Sequence, residues 1–79
     1  MLEQQLKALC NAAVAEVAEK YASTWALVTA ECPANSTTCF ADFSKKGEKM
    51  RRINVSIGQQ TDESLKAEIV RQLAAAGGR

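Results

Sequence analysis

Apolar residues recur every three or four positions near both ends of this chain and at every second position in one segment between them. The first pattern predicts an amphipathic helix over 2–22, and a narrower stripe predicts a second helix over 62–75. The alternating pattern predicts a strand over 50–57. Two further segments rich in β-favouring or large apolar residues, 24–32 and 38–43, precede that strand. The two helical stripes consist of Leu2, Leu6, Leu9, Ala13, Val17 and Tyr21, and of Leu65, Ile69 and Leu73.

The element order is therefore α-β-β-β-α, and the connections between the strands predict how they pair. The turn-rich segments 33–37 and 44–49 are short, so consecutive strands should be antiparallel neighbours. At 79 residues the chain has room for one hydrophobic core. The expected fold class is α+β, with a single domain over 1–79 in which two helices pack on a three-stranded antiparallel sheet.

Large core-forming side chains are few, because much of the apolar fraction of 47% is alanine. We expect the following residues to be mostly buried: Leu6, Leu9, Trp25, Phe40, Ile53, Val55, Ile69 and Leu73. A core of this size leaves little room for an enclosed cavity of about 300 Å³, the lower end of the range for small-molecule sites. This argues against an enzyme.

The sequence contains no histidine, which removes the usual general base near neutral pH and the usual nitrogen ligand of zinc. The three cysteines, Cys10, Cys32 and Cys39, lack the paired spacing of a structural zinc site. Glu31 and Asp42 fall near opposite ends of two strands and are interpreted as solvated charges. Glycine-rich phosphate loops are absent. We therefore expect no catalytic residue, no metal and no cofactor.

The cysteine count is odd, and the sequence does not open with a basic, apolar signal segment. These two features predict reduced thiols and a cytoplasmic location. Cys32 and Cys39 flank the 33–37 turn, so a disulfide between them under oxidation is the alternative. No run approaches the ~18 apolar residues of a membrane-spanning helix, and we expect no membrane partner.

Positive charge is concentrated in one segment, 45–52, which holds five basic residues and one acidic residue. The whole chain is nearly balanced, with ten basic and nine acidic residues. Because the third strand alternates, Arg52 and Asn54 should lie on the face opposite its apolar side chains. We predict a partner-binding surface composed of Lys45, Lys46, Lys49, Arg51, Arg52 and Asn54.

The partner predicted for this surface is a protein with an acidic face, which basic side chains would attract. Nucleic acid is the alternative partner, because phosphates would meet the same side chains. A solvated turn without any partner is the third interpretation. Trp25, Phe40 and Phe43 are needed for the core, and this shortage of spare aromatic rings favours protein over nucleic acid. A homodimer is a further expectation, because a second copy could cover apolar surface.

The α-β-β-β-α order resembles the double-stranded-RNA-binding domain, and the resemblance covers most of the chain. In that family the second helix begins with a lysine-rich phosphate clamp, and one loop carries a histidine. Here the matching stretch, 61–66, reads Thr-Asp-Glu-Ser-Leu-Lys, and the chain has no histidine. No functional residue is carried over, so the resemblance implies a topology alone.

The function predicted from these features is a non-enzymatic protein-binding module, such as an inhibitor or adaptor that covers a surface of a larger assembly. Small, histidine-free phage anti-defence proteins, including those of the anti-CRISPR type, are similar in style. The alternative function is a nucleic-acid-binding domain that uses the basic 45–52 turn.

Overall fold

The computed structural model describes residues 3–45, 47–58 and 60–77. Five elements follow one another along the chain: helix α1 (Glu3–Tyr21), strand β1 (Trp25–Glu31), strand β2 (Thr38–Lys45), strand β3 (Arg51–Ser56) and helix α2 (Asp62–Gly77). The strands form one sheet in the order β1-β2-β3, and both neighbouring pairs are antiparallel. The predicted α+β fold class and element order are confirmed. Neither helix, as far as it is described, is long and apolar enough to cross a membrane.

Helix α2 is capped at its N-terminus by Thr61. The backbone N–H of Ser64 donates to Thr61 Oγ1, and the backbone N–H of Thr61 donates to Ser64 Oγ, both at 3.1 Å. This reciprocal pair is a capping box in which serine replaces the usual glutamate. Helix α1 ends at Tyr21, and Ala22 follows with a φ of 54°. A residue in this left-handed conformation commonly ends a helix.

Both helices lie on the same face of the sheet and pack against each other, α1 over β1 and α2 beside β3. The antiparallel pairing places Cys39, Ala41 and Phe43 of the central strand on this covered face, and all three are buried. Glu16 of α1 links the helices through its carboxylate, whose Oε1 lies 2.9 Å from Lys66 Nζ of α2. The hydrogen bond from Lys66 is the main reason why the pKa of Glu16 is below its ordinary value. The hydrophobic core therefore lies between the two helices and the covered face of the sheet.

Most of the predicted core residues are buried, but Leu9 and Phe40 are only partly buried, and for these two the prediction was wrong. Phe40 and Phe43 are three positions apart on β2, so they lie on opposite faces of the sheet. Phe43 is the one that faces the helices, and it is completely buried. On α1 the buried positions are Leu6, Cys10, Ala13 and Val17.

Cys32 and Cys39 are joined by a disulfide across the open end of the β1–β2 hairpin loop. Their Cα atoms lie 4.4 Å apart, the spacing of directly opposed residues in an antiparallel pair. The prediction of reduced thiols was wrong for these two cysteines, because strand pairing places them side by side. Cys10 is a free cysteine in the core, where burial raises the pKa of its thiol to about 11.

Candidate partner-binding site

Strand β3 divides the predicted site residues between the two faces of the sheet. Arg52 and Asn54 are exposed on the open face, whereas Ile53 and Val55 are buried beneath the helices. Arg51 shares the side of Ile53 but lies at the start of the strand, where it is exposed. The predicted alternation is confirmed, and it separates Arg51 from Arg52.

Arg52 is fixed on the open face by Asp42 of β2, its cross-strand neighbour. Arg52 Nε donates to Asp42 Oδ1 at 2.8 Å, and Nη2 donates to Oδ2 at 3.1 Å. The guanidinium carbon also lies 4.2 Å from the centroid of the Phe40 ring. Two parallel hydrogen bonds between a guanidinium and a carboxylate are stronger and more directional than one. The charge of Arg52 is therefore matched within the protein.

Asp42 is 6% exposed. The hydrogen bonds from Arg52 hold the pKa of Asp42 below its ordinary value, although burial acts in the opposite direction. The same bonds raise the pKa of Arg52, to which the charge of Glu31 adds a smaller effect. A carboxylate with a lowered pKa is a weak general base at neutral pH. The arrangement is therefore that of a structural ion pair.

The turn between β2 and β3 begins at Lys45. Lys45 Nζ lies 5.6 Å from the centroid of the Trp25 ring and 3.9 Å from Glu48 Oε2. The backbone N–H of Glu48 donates to Lys45 O at 2.9 Å, and Gly47 has a φ of 82°. This left-handed conformation favours glycine, and the turn falls within the segment 44–49 that the sequence predicts as a turn. Lys45 therefore packs against an aromatic ring at the end of the sheet.

Lys49 and Arg51 are exposed, and within the described residues their side chains make no hydrogen bond or ion pair. Lys46, which the sequence analysis placed in the same surface, lies outside the described residues. Of the predicted cations, Lys49 and Arg51 are thus the ones whose charge is not matched by a neighbour in the described part of the chain.

A groove of about 390 Å³ lies between β3 and α2, and the sequence analysis did not predict it. Its lining includes Arg51, which belongs to the predicted site, and Arg71, which does not. Arg71 is exposed, and its side chain has no ion pair among the described residues. In sequence, Arg71 lies beside the apolar stripe of α2. The stripe predicts that the helix is amphipathic but not which strand it contacts, so the sequence does not place Arg71 near Arg51.

Two glutamine side chains hold α2 and the segment before it against the outer edge of β3. Gln72 Nε2 donates to Asn54 O at 3.3 Å and to Glu68 Oε2 at 3.2 Å. Gln60 Nε2 donates to Ser56 O. An edge strand leaves alternate carbonyl groups without a partner in the sheet. The two amides satisfy two of these carbonyls, and Gln72 is also part of the groove wall.

Two further clefts, of about 520 and 660 Å³, are open to solvent and meet at Trp25. The indole of Trp25 is buried, and its N–H has no acceptor among the described residues. The smaller cleft carries the charged side chains of the turn, and Met50 at its rim is 58% exposed. The basic turn, the tryptophan and the groove therefore occupy one end of the sheet.

Among the residues described here, no group of three or more carboxylate or cysteine side chains is placed to hold a metal ion. Comparison with protein-family models, curated proteins and solved structures finds no match for this chain.

Proposed function

We propose that this protein is a non-enzymatic protein-binding module, and that it binds an acidic surface of its partner through the exposed cations at the start of β3. The observation that carries the proposal is the exposure of Lys49 and Arg51 without a matching anion among the described residues. Arginine binds carboxylates through two hydrogen bonds. Basic side chains also accelerate association with an acidic partner.

The other predicted site residues have different weights in this proposal. Arg52 is already paired with Asp42, and Lys45 already contacts an aromatic ring, so each has less to offer a partner. Asn54 is exposed on the open face and stays a predicted partner-binding residue, as does Lys46, which lies outside the described residues. Arg51 is therefore the residue on which binding should depend most.

The form of module that we propose is an inhibitor or adaptor that covers a surface of a larger assembly, in the style of phage anti-defence proteins. A cytoplasmic location stays a prediction. The Cys32–Cys39 disulfide removes one of the two reasons for predicting that location, the expectation of reduced thiols, because disulfides persist mainly in oxidising compartments. Self-association as a homodimer also stays a prediction.

Affinity capture from a lysate of the source organism tests the proposal when single charge reversals are compared. Arg51→Glu and Lys49→Glu should each weaken capture of the partner, with the larger loss for Arg51→Glu. The matched control is Lys7→Glu, which reverses an exposed lysine of α1 and should leave capture unchanged. Melting curves establish that each variant is folded.

Two results would contradict the proposal. If Arg51→Glu and Lys49→Glu capture as much partner as the control Lys7→Glu does, the start of β3 is not the binding surface. Failure of the wild-type chain to retain any protein specifically would remove the function itself.

Nucleic acid is the competing partner for the same cations. Mobility shifts with single- and double-stranded DNA and RNA at physiological salt should show only non-specific affinity, about 10⁻⁴–10⁻⁶ M. Tighter binding that disappears in Arg51→Glu would replace the protein partner by a nucleic acid.

A further inference from the structure

The groove between β3 and α2 carries two arginines, Arg51 and Arg71, without a matching anion in the described part of the chain. Arg52 also lines the groove, but Asp42 balances its charge. Among the described residues, no acidic side chain belongs to the lining. Two guanidinium groups along one groove repel each other. An anion bound between them would be attracted by both and would reduce this repulsion. The groove is therefore a place where negative charge is favoured.

The remaining lining residues give the groove a small apolar floor and a fixed wall. Ile53 is buried, and Ala75 and Ala76 have no side chain beyond Cβ, so a peptide backbone can approach α2 closely. Gln72 is held by its hydrogen bonds to Asn54 O and Glu68. A wall that is fixed before binding reduces the ordering cost of association.

We propose that this groove binds an acidic segment of the partner protein, with carboxylates of that segment gripped by Arg51 and Arg71. This inference rests on the proposed function and deepens it by naming the partner's chemistry. Planar guanidinium groups match carboxylates in a bidentate manner. As far as the lining is described, it contains no aromatic ring on which a nucleobase could stack. Charge and shape together thus favour an acidic peptide over a nucleic acid.

Fluorescence anisotropy with the full chain tests this inference. The probe is a fluorescein-labelled, capped peptide of alternating glutamate and alanine, measured at low ionic strength. Arg51→Gln and Arg71→Gln should each raise the Kd about tenfold, because each removes a charge-assisted hydrogen-bonded pair. The matched control Lys7→Gln removes one exposed charge outside the groove and should change the Kd by less than about twofold. Arg71→Lys keeps the charge but loses the fork, and should give an intermediate Kd.

Equal weakening by Arg51→Gln, Arg71→Gln and Lys7→Gln would show general electrostatic attraction and would overturn the groove as a site. So would the absence of peptide binding by the wild-type chain. Tighter binding of a single-stranded oligonucleotide, lost in the two arginine variants, would assign the groove to nucleic acid. If Arg51→Glu abolishes partner capture while Arg71→Gln changes neither capture nor peptide binding, the groove fails and the protein-binding function stands.

Discussion

Arg51 and Arg52 are adjacent in sequence and begin the same strand, yet the two sides of β3 give them different surroundings. On the open face, Arg52 is paired with Asp42 and stacked on Phe40. On the helix side, Arg51 lines a groove with Arg71 and meets no anion among the described residues. Both arginines border that groove, but Arg51 is the one whose charge is not matched among the described residues. Alternation divides the basic cluster, and the neighbouring strand decides which charge is already matched.

The same comparison applies to the two phenylalanines of β2. Phe43 faces the helices and is completely buried, whereas Phe40 lies on the open face beneath the guanidinium of Arg52 and is only partly buried. The covered face holds the hydrophobic core, and the open face holds the Asp42–Arg52 ion pair beside the Phe40 ring. The two faces should therefore differ in how much they contribute to stability.

The largest expected effect comes from truncating the buried ring. Phe43→Ala should lower the free energy of unfolding by about 3–5 kcal/mol, because it removes buried surface and leaves a cavity. In a domain with a total stability of ~5 kcal/mol, this populates the unfolded state at 25 °C. Phe40→Ala should cost less than half as much, because solvent can fill the space. Urea denaturation measures both, and similar losses for the two variants would refute the division between the faces.

Periodicity predicted the fold class, the element order and the two sides of β3, because each depends on apolar spacing within one element. It did not separate Phe40 from Phe43, although their odd spacing excludes a common face of one strand. Strand β2 continues to Lys45, beyond the predicted boundary at 43, because pairing with Trp25 extends the ladder past the last large apolar residue.

The candidate site was less predictable, because its geometry depends on contacts between elements. The Asp42–Arg52 pair requires the β2–β3 register, and the position of Arg71 beside Arg51 requires the docking of α2 against β3. The short spacing between Cys32 and Cys39 offers a disulfide only as an alternative to reduced thiols. The register of β1 and β2 places the two cysteines opposite each other, and neither strand's sequence alone predicts this register.

An intermediate effect is expected from the disulfide, which ties the covered face at one end of the β1–β2 hairpin. The sequence separation of 7 closes a short loop, for which the chain-entropy relation gives about 2–3 kcal/mol. Denaturation with and without a reducing agent measures this difference. Cys32→Ser, which lacks the bond, is the control and should not respond to the reductant. A wild-type stability that does not change on reduction would contradict the contribution of this bond.

A smaller effect should distinguish the two arginines as the pH is lowered. Because the folded pKa of Asp42 is below its ordinary value, the pair with Arg52 stabilises the fold at neutral pH and loses this contribution as pH falls below about 4. The Nε chemical shift of Arg52 should follow this titration, with a midpoint below about 4. That of Arg51 should not. A midpoint at or above the ordinary aspartate value would contradict the lowered pKa.

Hydrogen exchange of the arginine side chains tests the central claim most directly, because it reports whether each guanidinium is already bound. In a ¹⁵N-labelled sample at constant neutral pH, the Nε–H of Arg52 should exchange slowly with water, since it donates to Asp42 Oδ1 at 2.8 Å. The Nε–H of Arg51 should exchange rapidly. Asp42→Ala should make the two rates similar by releasing Arg52. Rapid exchange at both arginines in the wild type, or slow exchange at Arg51, would contradict the assignment of Arg52 to the fold and Arg51 to the partner.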